Sequence, residues 1–140
     1  MRTIDCIFCA IVAGAAPAAV LYEDDDTLAF MDINPVSRGH VLVVTKEHYR
    51  NLYDIDPDAA AAVMRTAVRV ARAVRAALQP DGMNLFQSNE RAAFQSVFHF
   101  HVHIIPRWIG DELRLPPRVQ RVEFSILQET AARIREHLTD

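Results

Sequence analysis

The chain has 140 residues, 51% of them apolar and 24% charged, with a formal charge of −3. That length suits one domain around a single core, and the mild negative charge gives no basis for a nucleic-acid or anionic-membrane surface. No apolar run approaches the ~20 residues that span a bilayer, and the opening MRTIDCIFCAIVAGAAP is broken by Asp5, Cys6 and Cys9 before any signal-peptide core can form, so a cytoplasmic protein is expected.

Cys6 and Cys9, the only cysteines, stand in C-x-x-C spacing. Spacing alone leaves a redox pair, half of a zinc site, or two unrelated thiols. A thioredoxin-like pair needs a preceding strand, for which the chain is too short here. Residues 19–24 and 27–32 read as two strands around the acidic turn Asp24–Asp26, a solvated hairpin tip. Residues 33–39 carry turn chemistry, and HVLVVTK (40–46) is a β-branched strand.

The clearest helix follows. Asp56 caps it, Pro57 fits its first position and Asp58 complements its dipole. Val63, Ala67, Val70, Val74 and Leu78 share one face, opposite Arg65, Arg69 and Arg72. Without interleaved aromatics that basic stripe reads as a solvated face. QPDG (79–82) ends the helix. Residues 83–88 read as a strand, 89–95 as a loop, 97–107 as the last strand, and 113–119, with Pro116–Pro117, as irregular chain. Phe124, Leu127, Ala131, Ile134 and Leu138 mark a final helix over 123–138. Segregated strands and helices predict an α+β fold: an antiparallel sheet of about five strands with helices packed on it.

HFHVHIIPRW (99–108) spends three of the six histidines at alternate positions. On a strand His99, His101 and His103 share a face with Ile105, while Phe100, Val102 and Ile104 line the core face. Buried imidazoles need partners for both ring nitrogens, so the histidine face is a poor core. Two chemistries suit it: a catalytic metal held by His-x-His, or a nucleophilic imidazole whose neighbours handle protons and charge. Spacing leaves both open.

QSVFHFHVHII resembles the signature of the histidine triad (HIT) superfamily. CIFCAIVAG, LAFMDINPVSRGHVLVVTKEHYRN and MNLFQSN resemble, in the same order, further segments of its bacterial Hint-like branch. The resemblance covers nearly the whole chain and implies a single HIT domain over 1–140, with the tail and helix at about 109–140, as a homodimer. It implies cleavage of purine nucleoside 5′-phosphoramidates or related AMP conjugates through a nucleotidyl-histidine intermediate. The alternatives are a diadenosine polyphosphate hydrolase or a non-catalytic nucleotide-binding or scaffolding module.

By position, the resemblance makes His101 the nucleophile, with His103 on the phosphate oxygens. Ser96 and Gln95 would bond the phosphate or leaving group, and Asn89 would orient the phosphate. Asp32 would accept from the ribose hydroxyls, and Phe30, Ile33 and Leu42 would wall the base, although a core role is equally open to these three. The resemblance also implies a structural zinc on Cys6, Cys9, His48 and His99, and places His40 beside the triad, holding one tautomer. His137 suits a helix C-terminus, and Trp108 would cover the site or a dimer seam. In one respect the chain departs from its relatives: Glu90 and Phe94 stand where glycine is common. Since neither residue takes positive φ easily, the loop is expected to follow a different path, or Phe94 to border the leaving-group pocket.

Overall fold

The computed structural model describes residues 5–113 and 120–138. The chain opens with a short helix, α1 (Ile7–Val12), for which hydrophobic periodicity gave no signal. Cys6 caps it: its Sγ accepts from the backbone N–H of Cys9 at 3.3 Å. The C-x-x-C spacing is thus also a helix start.

Five strands follow: β1 (Val20–Glu23), β2 (Thr27–Met31), β3 (Val41–Thr45), β4 (Gly82–Phe86) and β5 (His101–Arg107). They form one sheet in the order β1-β2-β3-β5-β4, and every neighbouring pair is antiparallel. The α+β class and the five-stranded antiparallel sheet are as expected. Strand β3 is buried along its whole length because both sheet faces are covered. Val41 and Val43 pack with Ala29, Val102 and Ile104 against the long helix α2 (Pro57–Leu78). Leu42 and Val44 pack with Leu28 and Phe30 against Phe8 of α1.

Helix α2 begins as its sequence dictates. Asp56 Oδ1 accepts from Asp58 N–H at 2.8 Å, and Pro57 needs no partner in the first turn. Val63, Ala67, Val70 and Val74 are buried, and Arg65, Arg69 and Arg72 are exposed. The helix stops at Gln79, which takes the left-handed conformation (φ 52°).

Two expectations need correction. The last strand begins at His101 and not at residue 97, because Phe100 N–H donates to Tyr49 O at 2.7 Å and draws the preceding residues away from the ladder. His99 therefore lies outside the strand that carries the other two triad histidines. The final helix α3 spans Phe124–Glu136, but none of its residues is buried. Phe124, Leu127, Ile134 and Leu138 are all exposed, so its apolar stripe is not packed on the sheet. The stripe reports a face that wants covering, which periodicity cannot assign to this chain or another. The irregular segment expected at 113–119 lies outside the described residues from 114 onward. None of the described helices is long and apolar enough to cross a membrane.

Candidate functional site

The β3–β5 register sets His101 opposite Val44 and His103 opposite Leu42, so both imidazoles stand on the α1 side of the sheet. There they border a cavity of about 640 Å³, which Phe30, Asp32, Ile33, His40, Leu42 and Ser96 also line. Eight of the expected site residues thus meet in one cleft. Ile33 is 87% exposed at its mouth, whereas Phe30 and Leu42 belong to the core as well as to the wall. Phe8, which the sequence did not single out, stacks edge-on to His101 with ring centroids 5.1 Å apart.

Hydrogen bonds to groups of fixed polarity assign the ring protons. His101 Nδ1 lies 2.7 Å from the His99 carbonyl, which can only accept, so the proton is on Nδ1 and Nε2 keeps its lone pair. Val36 N–H donates to His40 Nδ1 at 3.2 Å, so neutral His40 carries its proton on Nε2. That Nε2 lies 2.9 Å from His103 Nδ1, which must accept, and the His103 proton falls on Nε2. The same His40 nitrogen is 3.4 Å from Asp32 Oδ2. Burial disfavours the charged form of all three imidazoles. It lowers His40 and His101 below the usual histidine value and brings His103 down to about 4. Asp32, His40 and His103 are close enough to share a cation. The Val36 bond, by fixing a proton on the His40 atom that would ligate it, favours a hydrogen-bonded chain instead.

Cys6, Cys9, His48 and His99 form a second cluster, their ligand atoms all within 4.8 Å of one another. His99 Nδ1 is 3.3 Å from Cys6 Sγ and 3.5 Å from Cys9 Sγ, and His48 Nδ1 is 3.2 Å from Cys9 Sγ. These separations are near the about 3.5 Å edge of a tetrahedron with zinc-like bond lengths. The tautomer fits as well. His99 Nε2 donates to Thr45 O at 2.6 Å, which turns the lone pair of Nδ1 toward the thiols. Two sulfur and two nitrogen donors with that outer support are a donor set suited to a closed Zn²⁺ site.

Gln95 and Asn89 do not line the cleft. The buried Gln95 amide donates to Arg50 O and Val97 O, and its Oε1 accepts from Glu90 N–H and Asn51 Nδ2. The Asn89 amide exchanges hydrogen bonds with Gln87 and accepts from Leu52 N–H. Both side chains organise the loop that delivers Ser96. Sequence reasoning missed Arg50 and Asn51, which grip Glu90 from the far side. Their only signal was adjacency to His48. Trp108 is half-buried after β5 and does not line the cleft, and His137 is the C-cap of α3.

The positive φ that Glu90 and Phe94 take with difficulty is nonetheless present. Glu90 (φ 72°) and Phe94 (φ 67°) both adopt the positive φ that glycine would take without cost. The surrounding hydrogen bonds impose the glycine-like backbone on residues that resist it.

The family profile for the HIT domain matches residues 13–108. The adenosine 5′-monophosphoramidase of Schizosaccharomyces pombe is 39% identical over 104 residues, 74% of this chain and 75% of that protein. A solved Streptococcus mutans protein superposes with a TM-score of 0.93 at 40% identity, covering 97% of this chain and 87% of its own. A zinc-bound histidine triad family protein from Mycobacterium smegmatis is 41% identical with a TM-score of 0.76, covering 96% and 99%.

Proposed function

Since the chain belongs to the HIT domain family, we propose that it cleaves AMP conjugates, adenosine 5′-phosphoramidates first among them, by transferring the nucleotide to His101. One observation carries this reading: His101 presents a bare Nε2 on the wall of a cleft, with its proton held by the His99 carbonyl on the opposite nitrogen. Similarity to a fission yeast adenosine 5′-monophosphoramidase supports the substrate class.

In the first step Nε2 attacks the α-phosphorus, a phosphorus–nitrogen bond forms, and the bond to the leaving group breaks. The leaving amine departs with the bonding pair and takes a proton from solvent. Water then attacks the phosphorus, the bond to His101 breaks, AMP leaves, and the proton of the attacking water returns to solvent. Imidazole suits both steps because it is a fair nucleophile and a fair leaving group. His103 donates through Nε2–H to the phosphate oxygens, and His40 fixes that tautomer. Ser96 donates to the phosphate or leaving group, and Asp32 accepts from the ribose hydroxyls. Phe30, Ile33 and Leu42 contact the base. Fixed donors of this kind hold developing charge without reorganisation. Gln95 and Asn89 act by holding the loop that carries Ser96.

Cys6, Cys9, His48 and His99 would hold a structural zinc, and the homologous zinc-bound mycobacterial protein supports that reading. Such an ion would cross-link the start of α1 to the segment after β3 and to the residues just before β5. We read the whole chain as one domain that works as a homodimer. The uncovered apolar stripe of α3 and the half-exposed Leu85 on the β4 edge are surfaces suited to a second copy.

Replacing His101 with Asn tests the reading. Turnover of adenosine 5′-phosphoramidate should fall by at least about a thousandfold while AMP still binds. Turnover that survives the change would remove His101 from the chemistry. AMP binding without any turnover in the unaltered protein would favour the non-catalytic nucleotide-binding module.

A further inference from the structure

Cys6 and Cys9 meet the covalent requirements of a disulfide as well as those of a metal site. Cys6 is the N-cap of α1 and Cys9 its third helical residue, and Ala10 N–H donates to Cys6 O at 3.0 Å. Three residues along a helical turn place the two Cα atoms about 5 Å apart, inside the roughly 4.4–6.8 Å that a disulfide spans. The two Sγ atoms lie within 4.8 Å of each other, so side-chain rotation can close the bond with the helix kept. Cys6 is half-buried, whereas Cys9 is only 2% exposed. An oxidant arriving from solvent therefore meets Cys6 first.

The bond would change what the sulfurs offer to His99. That residue is fully buried; its Nε2 donates to Thr45 O, and its Nδ1 lone pair faces Cys6 Sγ at 3.3 Å and Cys9 Sγ at 3.5 Å. A thiol can donate weakly to that lone pair. A disulfide carries no proton and leaves a buried acceptor without a donor, an arrangement that destabilises a folded protein. The carbonyl of the same His99 holds the His101 proton at 2.7 Å. Phe8, one residue before Cys9, stands edge-on to both rings, with centroids 5.9 Å from His99 and 5.1 Å from His101. Ile7, Phe8 and Ile11 also line the cleft. A helix of six residues has little stability of its own, so this wall depends on the sulfurs at its start.

We propose that Cys6 and Cys9 are a redox modification site: peroxide joins them in a disulfide that deprives His99 of its donors and, through the His99 carbonyl and Phe8, disturbs His101. The Cys6 sulfur attacks one peroxide oxygen, the O–O bond breaks, and hydroxide leaves and takes a proton from solvent. The Cys9 sulfur then attacks the Cys6 sulfur, the S–O bond breaks, and a second hydroxide leaves as water. The two sulfurs lose two electrons, the peroxide gains them, and a dithiol reductant reverses the change. The oxidised cluster keeps two of its four donors, too few for a closed zinc site. The modification goes beyond the proposed cleavage reaction, because bond formation depends neither on His101 nor on an AMP conjugate.

The test adds hydrogen peroxide in small excess and maps unreduced peptides by mass spectrometry. A Cys6–Cys9 bond is expected, with zinc released in step to a colorimetric chelator. Turnover is then compared at low temperature with protein that was chelated but kept reduced, since both forms lack the metal and only one lacks thiols. The oxidised form should turn over adenosine 5′-phosphoramidate about tenfold more slowly, the effect of one unsatisfied buried acceptor at His99. A dithiol should restore it. Nitrogen NMR of the imidazoles should show the Nδ1–H form of His101 in the reduced protein and a shift away from it on oxidation. Cys6→Asp keeps a helix cap and an oxygen ligand but cannot form the bond, so peroxide should leave that variant's own turnover unchanged. A sulfinic acid or an intermolecular disulfide in place of the Cys6–Cys9 bond overturns the proposal. An oxidised form as active as the chelated one overturns it too, as does equal peroxide sensitivity in Cys6→Asp. Bond formation without zinc release contradicts the zinc reading alone. Bond formation in a protein that cleaves no AMP conjugate contradicts the proposed cleavage and leaves this site standing.

Discussion

His101 Nδ1 donates to the main-chain carbonyl of His99 at 2.7 Å, and the ring of the same His99 faces Cys6 and Cys9. One residue therefore fixes the tautomer of the candidate nucleophile through its backbone and completes the candidate metal cluster through its side chain. The candidate metal cluster and the candidate nucleophile thus meet at His99, yet His101 is not a member of that cluster.

That separation gives a prediction about metal removal. The purified protein should hold about one zinc per chain, measured by atomic absorption. Chelation, or Cys9→Ser, should lower the thermal midpoint by about 10 °C, because metal binding is folding free energy in a closed site. Turnover measured at low temperature before unfolding should fall much less. Immediate loss of turnover with the fold intact would point to a metal acting in the chemistry.

The pH dependence of stability follows from His103, whose value burial depresses to about 4. Above pH 6.5 the ring is neutral in both folded and unfolded chains and contributes no slope. Between pH 6.5 and about 4 the unfolded chain binds a proton that the native ring refuses, so stability falls as the pH falls. The slope from one such group is at most about 1.4 kcal/mol per pH unit. Urea midpoints at pH 7, 6 and 5 should decline, and His103→Asn should flatten part of that decline.

Gly39 precedes His40 with φ +86°, and a Cβ there would collide with Leu78 Cδ1 and press on Pro106 Cγ at 3.2 Å. Gly39→Ala should cost about 2–4 kcal/mol in urea unfolding, from overpacking and backbone strain together. It should also displace His40, so turnover per folded molecule should drop. A stability change below about 0.5 kcal/mol would contradict the close approach.

The Arg50–Glu90 pair separates stability from loop order. It is solvent-exposed, and exposed pairs contribute little to global stability. Glu90 nevertheless depends on Arg50 and Asn51, whose hydrogen bonds hold its carboxyl down at about 2. Arg50→Ala should leave the thermal midpoint within a few degrees while lowering kcat/KM about tenfold, through disorder at Ser96. Equal effects on both would make the clamp a general structural element.

Much of this was legible in the residues. Apolar alternation located the strands to within a few positions, and Asp56–Pro57 located the start of α2. The face shared by His101 and His103 followed from a period of two. His99 stands on that side too, against Phe8, Cys6 and Cys9 of the α1 region, but outside the paired strand, because Phe100 N–H turns to Tyr49 O. Helix α1 has only six residues, too few to show a period, and is held by a thiol cap that propensity does not register. The backbone at Glu90 and Phe94 was not legible for a different reason. Local preference argues against positive φ at Glu90 and Phe94, and hydrogen bonds from residues some forty positions away override it. Contacts of that range have no local signature.

The central claim, that His101 carries the nucleotide, is tested most directly by rapid mixing with adenosine 5′-phosphoramidate, an alkaline quench and mass spectrometry of the peptide spanning residues 99–107. A phosphorus–nitrogen adduct of AMP on His101, lost in His101→Asn, is the result this account predicts. Turnover in the unaltered protein with no adduct at any mixing time, or an adduct on another residue, would contradict it.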